Sequence, residues 1–271
     1  QMHLGKLLRS LFPIERESFP KERRWQKGKF GELVQHDSTP LHLWGPKGAR
    51  QSIIISKDDA TRNLLACRVC ERETLIEHYA ALEQMFAHIG IPQTLYTDGF
   101  TMFGKAGEDL KSKFGRVCRA FGILHLIAPT PQAKGKIERD MRTFQHRLAI
   151  VFASQGVSNE EEANEVAFEH YRHWNSKHFH KELGCTLFEA RCRLVDEGKD
   201  ATRPPPDFKF VRLHLSLRER RRVELCSRIE FQGQWWTIAK TLRKTVVLAV
   251  RPHAHEFYVL EEDIDPSTGV I

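Results

Sequence analysis

The chain has 271 residues and a mass of 31.5 kDa. Its 41% hydrophobic and 28% charged residues are typical of a folded globular protein and exclude wholesale disorder or a collagen-like fibre. At roughly 150 residues per domain, the length suits two domains. No apolar run approaches the roughly 18 residues of a membrane span, no signal-peptide pattern stands at the N-terminus, and the six cysteines are scattered. We therefore expect a soluble, intracellular protein with reduced thiols and no membrane partner.

The net charge is +7, from 42 basic and 35 acidic residues, and it is unevenly distributed. Residues 1–30 carry eight basic and three acidic side chains, and residues 203–255 carry twelve and four, whereas residues 31–202 are close to neutral. Two basic flanks around a neutral centre are typical of a protein that binds a phosphate backbone, because Lys and Arg displace condensed counterions. Solvated surface charge explains the pattern equally well, so charge alone leaves the function open.

The first 30 residues are predicted to form a basic arm or linker. Pro13, Pro20 and Gly28 interrupt them, and no helical period is sustained. The chain starts at Gln1 rather than at Met, which predicts a fragment that lacks an upstream domain.

Residues 31–195 have the pattern of a mixed α/β domain with a helical tail. Short β-branched runs between turn residues predict three strands, and apolar residues three and four apart predict a helix closed by Gly90 and Pro92. A strand, a helix, a strand and two more helices follow. The predicted strands are residues 32–37, 51–56, 63–72, 94–97 and 124–128, and the predicted helices are residues 74–89, 110–121, 135–152 and 159–176.

A proline run, Arg203-Pro204-Pro205-Pro206, marks the boundary of a second domain, because tandem prolines favour an extended spacer. We assign residues 196–207 to this linker. Beyond it, short segments at tight spacing, with a hairpin signal at Gln232-Gly233, predict a small all-β barrel over residues 208–265. Its predicted strands are residues 208–213, 223–225, 228–231, 235–239, 246–251 and 257–260.

Three acidic residues stand where the pattern favours apolar or neutral ones: Asp37 in the first strand, Asp98 after the fourth, and Glu138 in the first turn of the third helix. Asp98 precedes Gly99, a common turn pair, and Glu138 complements the helix dipole, so both have an ordinary structural explanation. Asp37 is harder to explain, because a buried carboxylate costs several kcal/mol unless it is paired or bound to a metal.

The surroundings of these acids form a set of motifs. The most specific is PQAKGKIER at residues 131–139, which matches a Pro-Gln-x-x-Gly-x-x-Glu signature containing Glu138. The others are QHDSTP at 35–40, DDATR at 58–62, YTDG at 96–99 with Phe103, and Trp174-Asn175 with His180, Leu183-Gly184 and Thr186. In this order, over residues 24–195, they resemble the DDE transposases of bacterial insertion sequences, whose catalytic domain is shared with retroviral integrases. The segment 208–262 resembles the integrase-type C-terminal domain.

Two features depart from the family pattern. Phe100 follows Gly99 where the family usually has Asn, and 39 residues intervene between Asp98 and Glu138, a few more than is common. We place the surplus in the loop at residues 104–107, where an insertion costs little. The local motif, rather than the interval, anchors the assignment of Glu138.

The resemblance implies an RNase H-like mixed sheet with flanking helices, followed by a small all-β, SH3-like barrel. It implies a DNA transposase that cleaves and joins strands, with Asp37, Asp98 and Glu138 as its catalytic and metal-binding triad. Two Mg²⁺ ions, which Mn²⁺ can replace, would stabilise the attacking and leaving oxygens at phosphorus. Asp37 would bridge both ions, and each of the other two acids would hold one.

The implied partners are DNA, as transposon ends and target, and further copies of the chain, because pairing two ends takes at least two protomers. The expected location is the bacterial cytoplasm, in association with the nucleoid. The basic residues expected to contact DNA are Lys134, Lys136, Arg139, Arg142, Arg218, Arg220, Arg221 and Arg222. A solvated helix face and ordinary surface charge are the alternative explanations for them.

Two other functions stay open: a domesticated relative that binds DNA without catalysis, and an RNase H-like nuclease that cuts but does not join. The intact triad argues against the first, and the basic barrel argues against the second. Zinc binding at Cys67 and Cys70 is disfavoured, because an odd offset in a strand sends the two thiols to opposite faces. Asp58 and Asp59 are rival acids, which a turn explains more simply.

Aromatic and histidine residues have weaker signals. Trp235 and Trp236 could stack on bases, but consecutive strand residues face opposite sides, so at least one should lie in a core. The four histidines near Cys185 are expected at a helix end rather than as metal ligands: His170, His173, His178 and His180.

Overall fold

The computed structural model describes residues 27–42, 50–100, 102–104, 112–128 and 135–262, with the backbone alone at residues 41 and 135–140. The predictions for the basic arm before residue 27, for Lys134 and for most of the 104–107 loop lie outside these residues. Within the described part, no helix is both long and apolar enough to cross a membrane.

A five-stranded mixed sheet forms the centre of the first domain. Its strands are β1 (Val34–Leu41), β2 (Gln51–Asp58), β3 (Leu64–Cys70), β4 (Thr94–Thr97) and β5 (Leu124–Ile127). They lie in the order β3-β2-β1-β4-β5, with the first three antiparallel, β4 parallel to β1 and β5 parallel to β4. The five predicted strands and the mixed sheet are confirmed, although β1 and β2 are longer than predicted.

Helices cover both faces of this sheet. One face carries α1 (Leu75–Ile89) and α2 (Lys113–Ala120), and the other carries α3 (Gly135–Gln155) and α4 (Glu160–Lys177). All eight residues of β2 are buried, and its successive side chains point to opposite faces. Ile54 therefore packs with the first pair of helices, and Ile53 and Ile55 pack with the second. The four predicted helices are confirmed, with ends shifted by at most three residues.

α4 also covers the edge of the sheet at β3. The Asn175 side chain accepts a hydrogen bond from the Leu64 N–H (2.9 Å) and donates one to the Leu64 carbonyl (2.7 Å). Asn164 does the same for Val69, at 2.9 and 2.8 Å. Each side-chain amide thus replaces the two backbone hydrogen bonds that a further strand would make. The Trp174-Asn175 motif therefore has a structural role at this edge.

A fifth helix, α5 (Leu187–Asp196), ends the first domain after the short strands β6 (Phe179–His180) and β7 (Cys185–Thr186). It begins with a capping box, in which the Thr186 hydroxyl accepts from the Glu189 N–H and the Glu189 carboxylate accepts from the Thr186 N–H. A Thr-x-x-Glu spacing before an apolar run is a sequence signal for a helix start. The bounds of this helix were therefore predictable.

The two ends of the first domain are tied together. Phe30 is buried, its N–H donates to the Lys199 carbonyl (2.9 Å), and its own carbonyl accepts from the Ala201 N–H (2.8 Å). Arg203, beside the three prolines, exchanges backbone hydrogen bonds with Ile91 at 2.9 and 2.8 Å. Residues 199–203 are therefore held against the first domain.

The C-terminal part begins differently from the prediction. A helix, α6 (Phe208–His214), occupies the segment predicted as the first barrel strand. Helical spacing places Val211 and Leu215 on one face of this helix. Both are buried in the hydrophobic cluster that lies between the five-stranded sheet and the helices α1 and α2. The predicted strand at residues 208–213 is therefore wrong, because contact with the first domain favours a helix.

The remaining strands form a three-stranded sheet and a separate hairpin. The strands are β8 (Leu217–Arg222), β9 (Arg228–Phe231), β10 (Gln234–Thr237), β11 (Thr245–Arg251) and β12 (Glu256–Leu260). The sheet has the order β12-β11-β8, and β9 pairs with β10. Over the described residues they do not close, so the SH3-like barrel is not confirmed. The predicted strand at residues 223–225 is wrong, because these residues follow β8 and lead into a turn. β8 itself was not predicted, because its sequence, LRERRR, has no apolar run.

The hairpin turn is confirmed, since Gln232 and Gly233 have φ of +54° and +74°, as two-residue hairpin turns favour. Trp235 and Trp236 are 58% and 41% exposed, so the expectation that one of them lies in a core is wrong. β9 supplies the buried side chains of the hairpin, and β10 pairs with β9 alone among the described strands.

Candidate active site

Asp37 and Asp98 lie at matching positions on neighbouring parallel strands. In the register of β1 with β4, Gln35 is opposite Tyr96, and two residues further along each chain stand Asp37 and Asp98. Adjacent strands are about 4.8 Å apart. The end of β4 thus brings Asp98 beside Asp37, and both side chains are half-buried.

Asp37 faces the side of the sheet that α3 covers. It is directly opposite Ile55 of β2, and directly opposed residues of an antiparallel pair point to the same face. Ile55 belongs to the buried cluster that contains Met141 and Phe144 of α3. The Asp37 carboxylate therefore lies on the α3 side.

Glu138 is in the first turn of α3, three residues before Met141. The described side chains do not include those of Lys136, Glu138 and Arg139. Arg142 is described and is exposed. The third acid and its basic neighbours therefore stay predictions. Among the side chains that are described, no three His, Cys, Asp or Glu residues group as metal ligands.

A hydrogen-bonded turn holds Asp98. Its Oδ1 accepts from the Phe100 N–H at 3.1 Å, which agrees with the predicted turn. The preceding residue, Thr97, has its hydroxyl 2.9 Å from Nε2 of His125 on β5. Phe100 itself is 47% exposed.

Behind Asp37, on the opposite face of β1, a chain of hydrogen bonds crosses the core. Ser56 Oγ is 2.8 Å from His36 Nδ1, His36 Nε2 is 2.8 Å from His78 Nδ1, and His78 Nε2 is 3.0 Å from Glu73 Oε1. Both imidazoles are fully buried. One proton arrangement satisfies every contact: Ser56 donates to His36, His36 donates to His78, and His78 donates to the Glu73 carboxylate.

The same imidazoles contact the loop after Asp98. Phe103 is buried, with its ring centroid 6.1 Å from that of His36 and 5.0 Å from that of His78. One cluster therefore holds both β1, which carries Asp37, and the segment that follows Asp98. The only sequence signal for it was a histidine, His36, directly before Asp37 in the motif QHDSTP.

We expect a double-mutant cycle at His36 and His78 to be non-additive. His78→Leu leaves the His36 N–H without its buried acceptor, which should lower the free energy of unfolding by about 2 to 4 kcal/mol. His36→Leu leaves His78 Nδ1 without this hydrogen bond and should lower the free energy of unfolding by a similar amount. The double variant removes both polar groups, so its loss should be smaller than the sum by about 1 kcal/mol or more. Urea denaturation measures the cycle, and strictly additive losses would contradict a hydrogen-bonded pair.

The rival acids, Asp58 and Asp59, form a turn, as predicted. Asp58 is buried and accepts from the Gly31 N–H (2.9 Å) and from both the N–H and the hydroxyl of Thr61 (2.7 Å each). Burial raises the pKa of Asp58 to about 6. Asp59 accepts from the Gln35 amide at 2.9 Å. These carboxylates hold the β2–β3 turn against β1.

Cys67 and Cys70 point to opposite faces of β3, as predicted. Cys67 packs in the cluster that contains α3 and α4, and Cys70 packs in the cluster that contains α1. Burial raises the pKa of both thiols to about 12. The pair does not converge on a common metal position.

The four arginines of the C-terminal part that were predicted to contact DNA lie on β8. Arg220 and Arg222 are exposed. Arg221 pairs with Glu219 at 2.5 Å, and Arg218 is half-buried. Arg220 and Arg222 are therefore the more open of the four toward a phosphate.

Comparison with known proteins shows that part of this chain is similar in sequence to transposases. No protein-family model matches the chain. The transposase for insertion sequence IS1202 of Streptococcus pneumoniae is 36% identical over 166 residues, which cover 59% of this chain and 35% of that protein. The protein y4bF of Sinorhizobium fredii is 32% identical over 146 residues, which cover 52% of this chain and 32% of the relative. The chain thus spans about a third of the length of these curated relatives.

Solved structures are similar in fold. A chain of the simian T-cell lymphotropic virus intasome, solved by cryo-EM in complex with PP2A regulatory subunit B56 gamma, is 17% identical. Its TM-score is 0.52, over 88% of this chain and 78% of that chain. The HTLV-2 integrase catalytic core domain, solved with magnesium, is also 17% identical, with a TM-score of 0.46 over 59% of this chain and 96% of that chain. The mixed α/β core expected from the RNase H-like pattern is confirmed, and so is the resemblance of this chain to insertion-sequence transposases.

Proposed function

We propose that this chain is the catalytic part of a DNA transposase that cleaves DNA and transfers strands, with Asp37, Asp98 and Glu138 as its metal-binding acids. The observation that carries the proposal is the register of β1 with β4, which sets Asp37 beside Asp98. Asp37 faces α3, the helix that carries Glu138. Similarity to the IS1202 transposase supports the same conclusion.

The donor set suits magnesium. Two carboxylates about one strand spacing apart offer the hard oxygen ligands that this cation prefers, and Glu138 would supply a third. Two bound Mg²⁺ or Mn²⁺ ions stabilise the charge on the attacking and leaving oxygens of an in-line displacement at phosphorus. Asp37 would be shared by both ions, and Asp98 and Glu138 would each hold one of them.

The protein's own contribution is to hold these acids in place before DNA arrives. Asp37 is on the central strand of the sheet, with β2 on one side and β4 on the other. The Phe100 N–H orients the Asp98 carboxylate. The buried His36–His78 pair supports both segments from behind. Preorganised ligands lose little conformational freedom on binding, which favours a site built on strands over one built on loops.

We further propose that the DNA partners are transposon ends and a target, and that several copies act together beside the bacterial nucleoid. Basic side chains would extend the contact with DNA beyond the acids, because each positive charge can pair with a backbone phosphate. The residues proposed for this role are Lys134, Lys136, Arg139 and Arg142 on or before α3, and Arg218, Arg220, Arg221 and Arg222 on β8.

Nicking and joining of supercoiled plasmid in Mg²⁺ or Mn²⁺ tests the proposal. The protein is compared with Glu138→Gln and with a matched control, Glu165→Gln, at an exposed position of α4. We expect metal-dependent nicked and joined products, lost in Glu138→Gln and kept in Glu165→Gln. Nicking without joining would indicate a nuclease instead, and DNA binding without cleavage would indicate the non-catalytic relative.

A further inference from the structure

A groove between α3 and α4 has the chemistry of a nucleotide site and is lined by none of the acids described above. Its volume is about 500 Å³, within the range of about 300–1,000 Å³ typical of small-ligand sites. None of the described residues that line it is acidic, and Arg147, Lys177 and three histidines are among them. Within the described part of the chain, neither Arg147 nor Lys177 pairs with a carboxylate. The groove therefore favours an anion.

Trp174 forms the floor of this groove. The His178 ring stacks on it at 4.0 Å with an interplanar angle of 12°, and the Arg147 guanidinium is 5.4 Å from its ring centroid. A guanidinium that lies over an aromatic ring keeps its N–H groups available for bidentate contact with a phosphate. Arg147 is therefore positioned by stacking rather than by an ion pair.

Two further observations point to a ligand with both polar and apolar parts. Phe179 and Ile150, which line the groove, are 59% and 57% exposed, which is high for large apolar side chains. His170 Nε2, also in the groove, is buried and has no hydrogen-bond partner among the described residues. A buried polar atom of this kind is destabilising unless something supplies a partner.

We propose that this groove binds one unpaired nucleotide of a DNA strand, with the phosphate on Arg147 and Lys177 and the base against Phe179 and Ile150. Bases stack on aromatic side chains regardless of sequence, and basic neighbours hold the backbone. The identity of the strand rests on the proposed function. Arg147 is nine residues beyond Glu138 on α3, about 14 Å along the helix axis and two and a half turns away, so the groove is separate from the proposed acids.

Fluorescence anisotropy of a labelled oligothymidylate, in EDTA so that no strand is cut, tests the groove in the full chain. The groove variants are Phe179→Ala and Arg147→Gln. Two matched controls lie outside it: Phe188→Ala, where the ring is 50% exposed on α5, and Arg172→Gln, where the guanidinium lies 5.5 Å from the Phe168 ring centroid on α4. We expect each groove variant to bind about tenfold more weakly than its control. Thermal melting verifies that all four are folded.

An abasic strand of the same length separates the base contact from the phosphate contact. The wild-type protein should bind the abasic strand about tenfold more weakly than the intact strand. Phe179→Ala should not change the affinity for the abasic strand. Equal binding of abasic and intact strands, or equal affinities of groove variants and controls, would overturn the nucleotide site. Glu165→Gln, at an exposed position of α4, should bind oligothymidylate like the wild type. If the wild-type protein binds oligothymidylate through the groove but never cleaves plasmid, the transposase function is refuted and the nucleotide site is not.

Discussion

Asp37→Asn is expected to lower the rate of DNA strand joining by about a thousandfold or more while the fold is retained. Metal stabilisation of an in-line transition state is worth several kcal/mol, and each 1.4 kcal/mol or so is a factor of ten in rate. Asn keeps the shape of the side chain but loses the charge that holds a divalent cation. Asp37 is half-buried opposite Ile55, so a change of equal size leaves the sheet packing in place. Single-turnover joining assays measure the rate.

Asp98→Asn should have a similar effect, and the double variant should lose little more than either single one, because groups that act as a unit are non-additive. The matched control is Asp196→Asn, at an exposed position at the end of α5, which should join DNA at the wild-type rate. Wild-type joining by Asp37→Asn, or losses that multiply in the double variant, would show that the two acids do not share one site.

Asn175→Leu should lower the free energy of unfolding by about 2 to 4 kcal/mol and promote self-association. The substitution leaves the N–H and the carbonyl of Leu64 without partners, and Leu64 is only 4% exposed. An unpaired strand edge is also a template for pairing with another chain. Asn164→Leu should act in the same way at Val69. Urea denaturation measures the stability, and light scattering measures the association.

The control for these variants is Glu165→Leu, which places the same residue at an exposed position of α4 without removing a backbone partner. Its free energy of unfolding should stay within about 0.5 kcal/mol of the wild type. If Asn175→Leu matched this control in both stability and light scattering, the edge of β3 would not depend on the asparagine.

The core of the fold was predictable because its periodicities are strong. β2 is a β-branched run and α1 has apolar residues three and four apart, so both patterns are determined locally. α6 and β8 were not predictable in this way. The helix at Phe208–His214 depends on contact with the first domain, and β8 is a charged strand that pairs with β11. The sequence carries no local signal for either contact.

The candidate site also has one part that local sequence predicts and another that depends on long-range contacts. The motifs predicted Asp37 and Asp98 as candidate acids, since each stands in a short local pattern. Their proximity depends on the register between β1 and β4, which joins residues about sixty positions apart in sequence. The His36–His78 pair is another long-range contact and has no motif of its own. Local sequence can predict which residues are candidates for the site, whereas the strand register and the packing that bring them together are known only from the folded structure.

The hydrogen bonds between Phe30 and residues 199–201 hold the beginning and the end of the first domain next to each other. A segment joined before Phe30 and the chain that follows Arg203 therefore start close together in space. Over short tethers the effective concentration of one module near another is in the millimolar range. If the chain binds DNA as we propose, modules at the two ends of this domain would engage one stretch of DNA as a bivalent ligand, and weak contacts from each would combine into high avidity.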